Sequence, residues 1–136
     1  MPIGGAGAAV WLERARGLSF LRDEINSVSV CGHGDLHREN WYLTERGPVL
    51  LDWEDMGQFP LAYELGSFIN FAHLDPIEVA RCYGVSDGYA QIIERVAARG
   101  ALDLHLYWLR SRLAGGTARA DDLDYSASVC RRFFDG

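Results

Sequence analysis

A chain of 136 residues that is 49% apolar is long enough for about one domain with a real core, and a single domain over residues 1–136 is expected. With a net charge of −6 and thirteen basic residues, all arginine and forming no stripe, the sequence excludes a protein that neutralises nucleic-acid phosphates; a neutral or cationic small partner suits the balance better. No window approaches about eighteen uninterrupted apolar residues, and Met1 to Ala9 has neither a basic start nor a long apolar run, so neither a membrane span nor secretion is expected.

In chain order, Val10 to Arg16 suits a short helix stopped by Gly17, and Ser19 suits the cap of a second short helix reaching about Ile25. Val28 to Cys31 alternates as a strand does, Trp41 to Thr44 is aromatic and β-favouring, and Glu45-Arg46-Gly47-Pro48 is turn chemistry before the apolar Val49-Leu50-Leu51. From Leu61 the period becomes helical, with Leu65, Phe68 and Ile69 on one stripe. Asp75-Pro76-Ile77-Glu78 then combines an N-cap, an N1 proline and a capping-box glutamate ahead of a helix that ends at Gly84.

Asp87 is expected to cap a helix whose buried stripe is Tyr89, Ile92, Ile93 and Val96, with Gly100 as its stop. Leu102, Leu106, Leu109 and Leu113 continue one face to Gly115-Gly116. Asp121 or Asp122 opens a last helix carrying Tyr125, Val129, Cys130 and Phe133, a placement of acidic residues that favours the helix dipole. The expected fold class is α+β, predominantly α, with short strands around one polar cluster. Cys31, Cys82 and Cys130 are odd in number and far apart, without a Cys-x-x-Cys, which argues against a disulfide framework or zinc knuckle and for a reducing cytoplasm.

The polar cluster lies where the strands give way to loops. Cys31-Gly32-His33-Gly34-Asp35-Leu36-His37-Arg38-Glu39-Asn40, followed by Leu50-Leu51-Asp52-Trp53-Glu54, brings three oxygen-bearing side chains, Asp35, Asn40 and Asp52, close together in sequence, with an apolar run leading into each cluster. Phosphoryl transfer needs a carboxylate near the acceptor hydroxyl, an amide or carboxylate oxygen on magnesium, and a further aspartate to hold the metal against the phosphates. Taken alone, an aspartate in a loop is most simply a turn former or cap; the joint pattern carries the chemistry.

His33-x-Asp35-x-x-x-x-Asn40 followed by an apolar strand ending in Asp52-Trp53-Glu54 resembles the aminoglycoside phosphotransferase and choline kinase family, which shares the protein-kinase-like fold. The resemblance extends through Gly57-Gln58-Phe59-Pro60, in place of the family's Gly/Pro turn, to Glu64-Leu65-Gly66, where Glu64 stands in the acidic position of a helix that usually begins Asp-Leu-Ala. It implies a kinase-like C-terminal lobe, an ATP-dependent phosphotransferase acting on a hydroxyl of a small molecule, and magnesium with ATP as co-substrate. Asp35 would be the catalytic aspartate, Asn40 and Asp52 the magnesium ligands, Glu54 a further metal ligand, and His33 a packing residue of the loop. His37 stands where protein kinases put a lysine, so the resemblance gives it a contact with the transferred phosphate.

Such kinases place a nucleotide-binding lobe before this loop, whereas thirty-two residues precede His33 and the chain has no lysine. Gly4-Gly5-Ala6-Gly7 lacks the flanking strands that aim backbone N–H groups at phosphates. The expectation is therefore weak or no turnover from this chain by itself, with self-association or a partner supplying the missing lobe. A fragment, a degenerate relative and half of an assembly stay open.

An alternative puts His33, Asp35 and His37 on one face and joins them with Asp52 as a zinc or manganese hydrolase site, leaving Asn40 and Glu54 without a task. A non-catalytic module of kinase-like shape keeps the fold and discards the reaction. Trp11, Trp41, Trp53 and Trp108 are read as core rather than stacking platforms, and His73 and His105 as helix-face residues without a role.

Overall fold

The computed structural model describes residues 5–17 and 22–135, so the expected caps at Ser19 and the glycine at position 4 lie outside the described residues. The elements run α1 (Gly5–Arg16), α2 (Arg22–Ile25), β1 (Ser29–Gly32), a 3₁₀ turn (Arg38–Asn40), β2 (Trp41–Thr44), β3 (Gly47–Leu50), β4 (Gly57–Pro60), α3 (Leu61–Ala72), α4 (Pro76–Tyr83), α5 (Asp87–Leu113), α6 (Ala120–Cys130) and a closing π-helical turn (Arg131–Asp135). The chain is mostly helical with two small antiparallel sheets, as the α+β expectation had it. It divides into two compact units, Leu21–Ala97 and the combination of Met1–Phe20 with Ala98–Gly136.

The Leu21–Ala97 unit contains all four strands found among the described residues. β1 pairs antiparallel with β4, Ser29 opposite Pro60 and Gly32 opposite Gly57, and β2 pairs with β3 in a hairpin whose turn is Glu45 and Arg46. In the hairpin, Thr44 Oγ1 donates to the Gly47 carbonyl at 2.7 Å and accepts from Arg46 N–H at 3.2 Å, and Gly47 takes φ +109°, a conformation that glycine reaches without strain. Beneath the strands, Leu61, Ala62, Leu65 and Ile69 of α3 pack with Ala80 of α4 and with Tyr89, Ile92, Ile93 and Ala97 of α5.

The start of α3 is fixed by two bonds. Leu61 N–H donates to the Val28 carbonyl at 2.9 Å, and Ala62 N–H donates to the buried Tyr89 hydroxyl at 3.0 Å, whose own hydrogen is within reach of the Ile25 carbonyl at 3.2 Å. Burial raises the Tyr89 pKa, which keeps this hydroxyl protonated and able to donate. α4 behaves as its sequence predicts: Asp75 accepts from Ile77 and Glu78 N–H, Pro76 is the first helical residue, and Gly84 ends the helix at φ +68°.

In the other unit, Trp11 and Ala15 of α1 pack with Leu102 of α5, Ala127, Val129 and Cys130 of α6, and Phe134. Trp11 Nε1 donates to Asp135 at 2.9 Å, and Arg14 bonds the Phe134 carbonyl, so α1 is tied to the closing turn. Cys130 is buried, and desolvation first, then the charges of Asp135 and Asp103, push its thiol up to about 12. His105 is fully buried rather than on an open helix face, with Nδ1 2.7 Å from Ser126 Oγ.

Several expectations are corrected. α1 begins at Gly5 rather than Val10, because the small residues before Val10 continue the helix. β4 occupies what reads as a Gly/Pro turn; its partner β1 lies far away in sequence, so no local pattern reports it. Gly100 does not stop a helix: α5 runs unbroken from Asp87 to Leu113, since Ala98, Ala101 and Leu102 around that glycine are buried and packing outweighs its roughly 1 kcal/mol propensity penalty. Ser86, not Asp87, caps this helix, accepting from Tyr89 N–H at 3.2 Å. Leu113 ends its stripe in solvent, and Trp53 is 48% exposed rather than core, while Trp11 is buried and Trp41 and Trp108 are half-buried.

Replacing Tyr89 by Phe leaves Ala62 N–H without its acceptor in a buried setting, so unfolding in urea should become easier by about 1–3 kcal/mol. An unchanged midpoint would show that the hydroxyl does not fix the start of α3.

Candidate active site

β1 delivers the chain into the loop that carries Asp35, and Gly34 makes the loop's sharpest bend. At φ +89° this residue is in the left-handed half of backbone space, and a Cβ there would stand 2.6 Å from the Asp55 carbonyl oxygen and 2.8 Å from the Phe59 ring. Only glycine fits.

His33, 2% exposed, has both ring nitrogens in use. Nδ1 accepts from Asp35 N–H at 3.1 Å, which places the ring hydrogen on Nε2, and Nε2–H donates to the Leu51 carbonyl at 2.6 Å. The ring also packs against the Trp53 indole, centroids 4.7 Å apart. With no lone pair left, His33 cannot join the metal set that the hydrolase alternative requires. The packing role implied by the family resemblance suits this environment.

Asn40, 6% exposed, closes the loop from the other side. Its amide nitrogen donates to the Asp35 carbonyl at 2.9 Å and to Asp35 Oδ2 at 3.1 Å, which uses both hydrogens and leaves Oδ1 as the end available to a cation. His37 caps the 3₁₀ turn through Nδ1, which accepts from Glu39 N–H at 3.1 Å. A neutral ring arranged so carries its hydrogen on Nε2, 3.4 Å from Asp35 Oδ2, and the 3.1 Å approach of Asn40 Nδ2 to that nitrogen is then a contact between two donors. Asp35, His37 and Asn40 are therefore brought together in one polar group, with Phe71 of α3 against the edge of the His37 ring.

Leu51 joins the second motif to this group. Its N–H donates to the Asn40 carbonyl at 2.7 Å while its carbonyl receives His33, so the residue immediately before Asp52 is held from both sides. Asp52 itself adopts φ +61°, a left-handed conformation that aspartate tolerates better than most residues but that still costs about 1–3 kcal/mol. The bonds of Leu51, with the Trp53 indole donating to the Leu50 carbonyl at 2.9 Å and Met56 N–H to the Trp53 carbonyl at 3.1 Å, hold it there. Asp52 and Glu54 are exposed, and among the described residues neither carboxylate is engaged by a hydrogen bond or ion pair. Asn40 Oδ1 and the Asp52 carboxylate are both hard oxygen donors, the class of ligand magnesium takes.

A model of the phosphotransferase enzyme family (APH) matches residues 8–120, a span that contains every one of these side chains. The chain belongs to the phosphotransferase enzyme family. No curated protein and no solved structure shows significant similarity to it. Membership in the APH family agrees with the resemblance drawn from His33, Asp35, Asn40 and Asp52, and no described helix is long and apolar enough to cross a membrane.

Three contributors to the site act through contacts that the sequence does not report. Leu51 acts through its backbone alone, Phe71 reaches the loop from α3, and Glu64 of α3 accepts from the backbone N–H groups of His33 and Gly34. The acidic position of Glu64 is visible in sequence, but its target is not.

Gly34→Ala combines a left-handed non-glycine residue with two sub-van der Waals contacts, so a loss of about 2–5 kcal/mol in urea unfolding is expected. Wild-type stability in this variant would mean that the loop takes another path.

Proposed function

We propose that the chain is the protein-kinase-like C-terminal lobe of an ATP-dependent phosphotransferase, passing the γ-phosphate to a hydroxyl of a small molecule, aminoglycoside- or choline-like. The observation that carries the reading is the clasp at Leu51: one residue bonds the loop of Asp35 and Asn40 with its two backbone groups and presents Asp52 next. A turn-forming role for three unrelated polar residues gives no reason for such a link, nor for a strained Asp52.

In the mechanism proposed, the Asp35 carboxylate orients the acceptor hydroxyl and takes its proton as the hydroxyl oxygen bonds to the γ-phosphorus, the β–γ bridging oxygen leaving with ADP. Asn40 fixes the carboxylate through Oδ2, so the other oxygen, Oδ1, is the one offered to the hydroxyl. His37 Nε2–H, 3.4 Å from Asp35 Oδ2, stands at the edge of this centre and suits a contact with the transferred phosphate. Asn40 Oδ1 and Asp52 would hold magnesium, with Glu54 as a further ligand; the metal, when bound, supplies the positive charge that offsets the phosphate oxygens. The acidic balance of the chain suits an amino- or ammonium-bearing acceptor and a cytoplasmic setting with free thiols at Cys31 and Cys82.

Asp35→Asn should lower any phosphorylation of an amino alcohol by more than about a thousandfold while magnesium-dependent ATP binding, followed by calorimetry, stays within about threefold of wild type. Asp52→Ala should abolish that binding. Retained turnover in Asp35→Asn, or zinc binding without nucleotide binding in the wild type, would defeat the proposal.

A further inference from the structure

We propose that Gly32 and Glu64 are a matched pair that positions the Asp35 loop, with Glu64 as the positioning residue and the bare Cα of residue 32 as the space its carboxylate occupies. Glu64 lies in the first turn of α3, whose start is held by the Val28 carbonyl and the Tyr89 hydroxyl. From that fixed base its Oε1 accepts from His33 N–H at 2.5 Å and from Gly34 N–H at 3.2 Å, and Oε2 lies 3.3 Å from the same Gly34 nitrogen. Two successive amides thus share one carboxylate, a charge-assisted arrangement stronger than a pair of neutral bonds.

The room for it comes from Gly32. A Cβ on residue 32 would stand 2.8 Å from Glu64 Cδ, 3.0 Å from Oε1 and 3.1 Å from Oε2, overlapping the carboxylate itself. A glutamate side chain is flexible and can yield, but any movement that relieves the contact takes the oxygens away from the two amides. Gly32 has an ordinary backbone conformation, so this contact, and not a turn, is what requires glycine there. A shorter aspartate at 64 would withdraw the carboxylate by one carbon–carbon bond, about 1.5 Å, emptying the space that a methyl group at 32 would fill.

The consequence reaches Asp35 through His33. The amide of His33 is held by Glu64 while its ring holds Asp35 N–H and the Leu51 carbonyl, so a shift of residue 33 moves both motifs. The functional meaning of the pair rests on the role proposed for Asp35; the pairing itself does not.

The test compares the full chain with Gly32→Ala, Glu64→Asp, their combination and the isosteric Glu64→Gln, by amide hydrogen exchange and amide proton shifts of His33 and Gly34. Each of Gly32→Ala and Glu64→Asp should speed exchange at these two amides by about tenfold or more, and the combination should exchange no faster than Glu64→Asp alone, within about threefold, because the withdrawn carboxylate no longer meets the methyl group. Additive or worse behaviour of the combination overturns the pairing. Should Gly32→Ala not fold, Glu64→Gln decides: the two amide protons move upfield if the charged acceptor holds them, and unchanged shifts overturn the proposal. In proteins that turn over magnesium-ATP, kcat should follow the same non-additive pattern with KM for ATP unchanged. Absence of turnover in every protein, wild type included, bears on the phosphotransferase reading alone and leaves the exchange data to decide the pair.

Discussion

The His33 imidazole sits where the loop of Asp35, the strand before Asp52 and the helix carrying Glu64 converge. A five-membered ring with one donor and one acceptor on opposite sides can join two backbone segments in a fixed sense, and here it takes Asp35 N–H on one side and gives a hydrogen to Leu51 on the other. Burial excludes water as a competing partner, which strengthens both bonds and makes the loss of either expensive. Around this ring, Asn40 fixes Asp35 from below and Leu51 fixes Asp52 from beside it. The remaining parts of the unit, from the β1–β4 pair to the Tyr89 hydroxyl, hold those segments at the right distance.

This arrangement accounts for strain where the site has it. Asp52 is kept in a left-handed conformation and Gly34 in one that only glycine adopts, and both flank the residues that the ring clamps. Neither conformation would persist in an isolated loop of this length, since each is opposed by local preference and supported only by bonds to distant segments. Asp52 and Glu54 are exposed, while His33 and Asn40 beside them are buried.

Much of this was legible in the sequence. Spacing and residue type marked Asp35, Asn40 and Asp52, because each of the two motifs follows an apolar strand, and that pattern is local. Asp75 with Pro76 and Gly84 framed α4 correctly for the same reason. What escaped depends on partners far along the chain: β4 forms only because β1 offers it an edge, Gly100 stays helical because buried neighbours hold it there, and Glu64 finds its amides across the fold. Trp53 read as core from its apolar strand, yet the strand ends before it and its ring lies half in solvent over His33. Whether a ring nitrogen of His33 is free for a metal is likewise settled by contacts, not by spacing.

The central claim, that one neutral histidine ring locks the two motifs together, is tested most directly by nitrogen-15 NMR of the His33 side chain in the folded protein. The account predicts a single tautomer with hydrogen on Nε2 and a bare Nδ1. A ring protonated at Nδ1, or one averaging between tautomers as an exposed imidazole does, would contradict it.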